Sequence, residues 1–120
     1  LRKLTANRLA GLGSAFHRPT HRTAVRDLQN AREYIRQFAP ATAEQWYQKV
    51  LEALLGLERN PESRPLAPET AEFPFELRQL LIRTKSRLAN RALFTVVGNE
   101  VHVLAIRRPG QPLLTKDDIA

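Results

Sequence analysis

Between residues 61 and 74 the chain carries Pro61, Pro65, Pro68 and Pro74, and the apolar residues recur with a different period on either side of this stretch. Proline fixes φ and lacks an N–H, so the segment can form neither a helix nor a central strand and reads as a constrained surface connection. Whatever lies before it and whatever lies after it must therefore fold as separate elements and meet through their side chains.

Before the prolines the period is helical. Ala24, Leu28, Ala31, Ile35 and Phe38 recur at spacings of three and four, which predicts one helix from Thr23, as N-cap, to Phe38. Pro40 is expected to stop it. Thr42-x-x-Gln45 has the capping-box pattern and predicts the start of a second helix. Ala43, Tyr47, Val50, Leu54 and Leu57 carry its stripe, Trp46, Leu51 and Leu55 widen it, and Asn60-Pro61 ends it. A link this short makes a helical hairpin with one apolar face on each helix, which needs a sheet to cover it. Tyr34, Trp46 and Tyr47 are assigned to core packing rather than to base stacking.

After the prolines the period is that of strands. Phe75 to Arg83 is a strand-length run with Leu80 and Ile82 on the same face as Arg78, and Leu77 and Leu81 on the other. Thr84 to Asn90 reads as a hairpin loop. Ala92–Val97 and Val101–Ile106 flank Gly98-Asn99, a dipeptide suited to a two-residue turn with positive φ. Both runs are apolar on both faces, as in a central strand. The predicted fold class is α+β: two antiparallel helices packed on a small twisted antiparallel sheet, with a short capped helix near Thr115–Asp118. Residues 23–120 form that domain, and residues 1–22, with only a weak apolar stripe, read as a poorly ordered basic arm or a degenerate first strand.

The chain has 120 residues with no cysteine, enough to bury a core without disulfides, and thiolate metal sites and cysteine nucleophiles are excluded. No run reaches the length of a membrane span, and the opening LRKLTANRLAGLG lacks the apolar region of a secretory signal, so a cytoplasmic location is expected. The net charge of +7 is uneven: residues 1–22 carry +5, 23–72 carry −2, 73–108 carry +5 and 109–120 carry −1. Clustered positive charge is the footprint of a protein that meets phosphates or an acidic partner.

That charge supplies the candidate site. Arg78, Arg91 and Arg107 fall on three consecutive predicted strands, with Arg83, Lys85 and Arg87 in the adjoining loop and Arg108 at the end of the last strand. Guanidinium forks match phosphate and stabilise the charge of a pentacoordinate transition state. The alternative reading of the loop residues is a solvated face. A glycine-rich phosphate loop, a nucleophile elbow and a metal-binding helix motif are all missing. His17 and His21 have helical ligand spacing, but Pro19 between them breaks the helix, and His102 in a strand is read as structural. No metal and no cofactor are expected.

The segments DLQNAREYI, AP-x-x-A-x-x-W, LEALLGLERNP, PLAPE, FPFELRQLLIRTKS and RALFTVVGNEVHVLAIRRPGQPLLT, in this order and spacing, resemble the RelE/ParE superfamily of type II toxin-antitoxin toxins, the plasmid stabilisation proteins. The resemblance spans Ala24 to Asp118. It implies the α+β fold just described, a toxin role in growth inhibition, and a cognate antitoxin that wraps the toxin surface in a hetero-oligomer. RelE-like members cleave mRNA on the ribosome without metal, using basic sheet residues and a late Tyr or His. ParE-like members lack that set and poison DNA gyrase.

Two departures follow from the same comparison. The superfamily opens with an alternating apolar strand just before the first helix, where this chain has SAFHRPTHRT, a poor strand. On the activity side, Arg78, Arg91 and Arg107 match basic positions of the motif, but the last strand ends Ile106-Arg107-Arg108-Pro109 without the late Tyr or His. Arginine is too weak an acid to protonate a leaving oxygen near neutral pH. The expectations are therefore a metal-independent endoribonuclease in which Arg78, Arg91 and Arg107 stabilise the phosphate while Arg83, Lys85, Arg87 and Arg108 bind RNA, or a noncatalytic gyrase-binding toxin using the same basic surface. The alternative is an inactive toxin homologue that only binds antitoxin.

Overall fold

A computed structural model describes residues 3–4, 22–84, 89–98 and 100–119. Helix α1 (Arg22–Arg36) and helix α2 (Pro40–Leu55) form the helical hairpin, and strands β2 (Arg78–Arg83), β3 (Ala89–Val97) and β4 (Glu100–Arg107) form an antiparallel meander. A two-residue strand β1 (Lys3–Leu4) pairs parallel with Glu100 and Val101, so the sheet order is β1-β4-β3-β2. A first strand is thus present, further upstream than the SAFHRPTHRT segment, which lies outside the described residues together with His17, Pro19 and His21.

The helix boundaries correct three expectations. Pro40 does not merely stop α1, which already ends at Arg36; it opens α2 at the first helical position, where a missing N–H costs nothing because that donor has no intrahelical acceptor. Thr42 consequently lies inside the first turn instead of capping it. Thr23 likewise falls just inside α1, and its buried hydroxyl donates to the Asp118 carbonyl at 3.2 Å, tying the helix to the C-terminal tail. That tail contains a short 3-10 turn, Lys116–Ile119, whose Asp118 carboxylate reaches back to accept the Thr115 N–H at 2.8 Å, the second half of a capping box.

The β3–β4 hairpin turns where expected. Gly98 has φ +58°, a left-handed conformation that glycine adopts without steric cost, and Val97 pairs with Glu100 across the turn. Between Leu93 and Phe94 the register shifts, leaving Leu93 opposite Ala105 but Phe94 opposite Val103, so Leu104 is the extra residue of a bulge that bends β4.

The sheet is covered on both sides, which explains why β3 and β4 are apolar on both faces. On one side Leu28, Val50, Leu54 and Leu57 of the helical layer meet Leu80, Ile82, Phe94 and Ile106. On the other, Ala67 and Phe73 of the proline-rich connection and Leu114 and Ile119 of the tail meet Leu77, Leu93, Leu104 and Ala105. Burial of each large aliphatic side chain in these layers contributes about 1.5–3 kcal/mol. The connection also protects the start of β2 as an edge: the Gln79 N–H donates to the Pro65 carbonyl at 3.0 Å and the Ala67 N–H to the Leu77 carbonyl at 2.7 Å.

At the far end of β4 an edge donor is satisfied from the helical layer. The Ile106 N–H donates to Oδ2 of Asp27 on α1 at 2.9 Å. Burial pushes the Asp27 carboxyl above its ordinary value, against the lowering effects of the Ile106 N–H and of Arg107 and Arg26, with Asp118 adding to the rise. An acid whose folded-state pKa is raised takes up its proton in the folded state first, so its contribution to stability improves as pH falls through that raised value. Asp27→Asn, which keeps the acceptor and removes the buried charge, is expected to match or exceed wild type in urea melts at pH 7, and to lose any advantage in acid. Asp27→Leu, which leaves the Ile106 N–H unpaired, should lose about 1–3 kcal/mol at both pH values. A large loss in Asp27→Asn at pH 7 would show that the charge itself is required.

Candidate functional site

The strand register decides which of the arginines share a surface. Arg91 and Arg107 are direct cross-strand partners. They alternate with Ala92 and Ile106, which face the helices, so both lie on the sheet face opposite the hairpin. Arg83 has the same parity as Leu77 and projects to that face from the exposed end of β2. Arg78, two residues before Leu80, has the opposite parity and sits on the helical side. Three consecutive strands therefore do carry the three arginines, but the guanidinium groups do not converge. Lys85 and Arg87 lie outside the described residues.

Each of the three is held by protein groups. Arg91 presents a bidentate fork to Glu69, with Nη1 donating to Oε1 at 2.9 Å and Nη2 to Oε2 at 2.7 Å, while Nη1 also donates to Gln79 Oε1 at 3.0 Å. Glu69 is 1% exposed, and its Oε2 also accepts the backbone N–H of Leu114 at 2.9 Å. One carboxylate thus joins the proline-rich connection, β3 and the tail. Burial works to raise the Glu69 carboxyl, but the Arg91 fork and the Leu114 N–H outweigh it and hold the group below its ordinary value. Arg107 is 9% exposed, and its Nη2 donates to the Pro112 carbonyl at 2.6 Å, while its Nε is buried without a partner among the described residues. Arg78 donates to the Arg64 carbonyl at 2.7 Å and to Glu76 Oε1 at 3.1 Å.

Arg108 is placed differently. It turns toward the hairpin, where its guanidinium carbon lies 5.3 Å from the centre of the Tyr34 ring, while its backbone N–H donates to Gln111 Oε1 at 2.6 Å. Tyr34 corrects the expectation of core packing: it is 55% exposed, and Phe38, counted in the apolar stripe of α1, is 74% exposed. Both sit at the C-terminal end of the hairpin's first arm, and their rings meet edge to face at 5.5 Å. Trp46 and Tyr47 are buried as expected. Tyr47 additionally carries the Arg32 guanidinium at 4.1 Å from its ring centre, and Arg32 bridges α1 to α2 through Glu44.

Sequence reasoning missed Glu69. Its environment in the sequence, Ala67-Pro68-Glu69-Thr70, has the composition of a surface turn, and nothing local distinguishes a solvated glutamate from one buried against a residue 22 positions away. His102, placed in a strand as expected, is half-buried and pairs with Glu100 at 3.0 Å on the same strand. Groups of His, Asp and Glu arranged to hold a metal are absent among the described residues.

Two antiparallel helices on a mainly antiparallel sheet are the architecture the sequence resemblance implied; the irregular chain that closes the second face goes beyond it. The family model for the ParE toxin of the type II toxin-antitoxin system, parDE, matches residues 20–111. The chain belongs to this toxin family, within the RelE/ParE superfamily, and the family implies a cognate antitoxin. No match was found among curated proteins or among solved structures. No helix of the described residues is long and apolar enough to cross a membrane.

Proposed function

We propose that this protein is a noncatalytic toxin that arrests growth by binding a protein target in the cytoplasm, DNA gyrase, and that its antitoxin neutralises it by covering the binding surface. The observation that carries this reading is the engagement of Arg91 and Arg107: their forks tie the sheet to Glu69 and to the tail instead of facing an open surface. A phosphate-stabilising site needs donors aimed at the place where charge develops. Here Arg78 is on the other face, and the face that holds Arg91 and Arg107 is closed by Ala67, Leu114 and their neighbours. The absence of a late Tyr or His after Ile106 removes the general acid as well. In this reading Arg91 and Arg107 brace the fold, and the exposed basic residues serve recognition.

The test is gyrase supercoiling in the presence of the purified chain, run beside sequencing of transcript ends after its induction in growing bacteria. The expected result is inhibited supercoiling with DNA-damage signalling and an unchanged set of transcript ends. Codon-phased new 5′ ends would establish the nuclease instead, and supercoiling that continues undisturbed would reject the gyrase assignment.

A further inference from the structure

A cavity of about 340 Å³ opens between the end of the helical hairpin and the neighbouring end of the sheet. Its walls are Tyr34 and Ile35 of α1, Trp46 of α2 and Asn90 of β3, and Lys49 and Arg108 stand beside them. The volume is at the low end of the roughly 300–1,000 Å³ of ligand clefts, enough for one large side chain and little more. Trp46 is 7% exposed and Asn90 4%, so the floor is formed by residues fixed in the core. Beyond the cavity the exposed rings of Tyr34 and Phe38 continue the apolar surface along one helical turn.

The charge beside this apolar surface is of one sign. Neither Lys49 nor Arg108 has a carboxylate within ion-pair distance among the described residues, whereas Arg32, Arg36, Arg78 and Arg91 all do. Arg108 is held over the Tyr34 ring, which leaves its planar fork oriented for an incoming carboxylate at little further entropic cost. A rigid apolar pocket flanked by uncompensated cations is the arrangement in which a buried anchor side chain and charge-assisted hydrogen bonds reinforce each other.

We propose that this cavity and its aromatic ledge bind an acidic segment of a partner protein, which inserts one large aromatic or aliphatic side chain over Trp46 and pairs flanking carboxylates with Lys49 and Arg108. The occupant's identity as the cognate antitoxin rests on the toxin reading above; the chemistry of the site does not. A nucleic acid fits less well, because two cations over an apolar floor offer little to a phosphate backbone, which tracks along a continuous positive groove.

Trp46 is the sole tryptophan of the chain, so its emission reports occupancy directly. The full chain would be titrated with an end-blocked peptide rich in glutamate and carrying one central phenylalanine. Three further probes complete the set: the same peptide with alanine at the centre, the same peptide with lysine for glutamate, and a single-stranded oligonucleotide. Saturable change is expected with the first probe, with binding at least about tenfold weaker for the alanine and the lysine probes. The Lys49→Glu/Arg108→Glu variant should weaken binding of the acidic probe by about tenfold or more and favour the lysine probe, which also shows that the variant is folded.

Equal binding of the phenylalanine and alanine probes would overturn the proposal, as would unchanged binding of the acidic probe by a charge-reversed variant with a normal melt. Displacement of the peptide by the oligonucleotide would assign the site to nucleic acid and reject it too. A silent titration with intact growth arrest removes this site and leaves the toxin reading standing. Specific peptide binding without arrest does the reverse.

Discussion

Glu69→Ala is expected to destabilise the protein by about 3–5 kcal/mol, the characteristic loss when one partner of a buried ion pair is removed. The substitution strips Arg91 of both oxygens of its fork and leaves the Leu114 N–H, in a buried position, without an acceptor. Urea melts should show the loss as a lower midpoint, and faster amide exchange at Leu114 should show that the tail has come away from the sheet. Replacing both partners by apolar residues, Glu69→Leu with Arg91→Met, should recover part of the loss, because no uncompensated charge then remains. The pH dependence follows from the depressed Glu69 pKa. A carboxyl held below its ordinary 4.5 contributes stability that is fully present above that value and is lost as pH falls through the depressed one. Glu69→Gln should therefore flatten the acid limb of the stability profile. An acid limb identical to wild type would show that Glu69 is not the group that titrates there.

Phe94→Ala is the second large effect, again about 3–5 kcal/mol, but for a different physical reason. Phe94 is fully buried beside the bulge in β4, paired with Val103 on that strand and packed in the same cluster as Leu54 and Leu57 under the helices. The cavity it leaves is bounded by a bent strand on one side and a helical hairpin on the other, and neither can close over it without breaking the register. The signature is a loss of stability that does not vary with pH, in contrast to Glu69→Gln. A loss below about 1.5 kcal/mol would mean that the bulge relaxes and refills the space.

The helical hairpin and the three-stranded meander were legible from the chain alone because their signals are local. Ala24, Leu28 and Ala31 share a helical stripe; Gly98 permits the turn; Leu80 and Ile82 alternate with charged or exposed neighbours. The boundaries at Pro40 and Thr42 were less legible, since the same proline that ends one helix suits the first turn of the next, and only the backbone decides which. Tyr34 and Phe38 carry the correct spacing for burial but stay exposed, because a periodic stripe says which face is apolar and not how far the partner surface extends beneath it.

The candidate site shows the same division. Sequence located the basic residues on successive strands and, through the resemblance, the toxin family that the family model matches over residues 20–111. It determined the period of each element, the charge and the order of the elements, all properties fixed by neighbours a few residues apart. Tertiary structure alone decided that Arg91 and Arg107 share a face while Arg78 does not, that Glu69 is buried against Arg91, and that Lys49 and Arg108 meet beside one apolar cavity. Those outcomes depend on strand register and on chain segments tens of residues apart. A one-residue shift in pairing would send Arg91 or Arg107 to the opposite face of the sheet, and no local pattern near Glu69 or Arg108 encodes their distant partners.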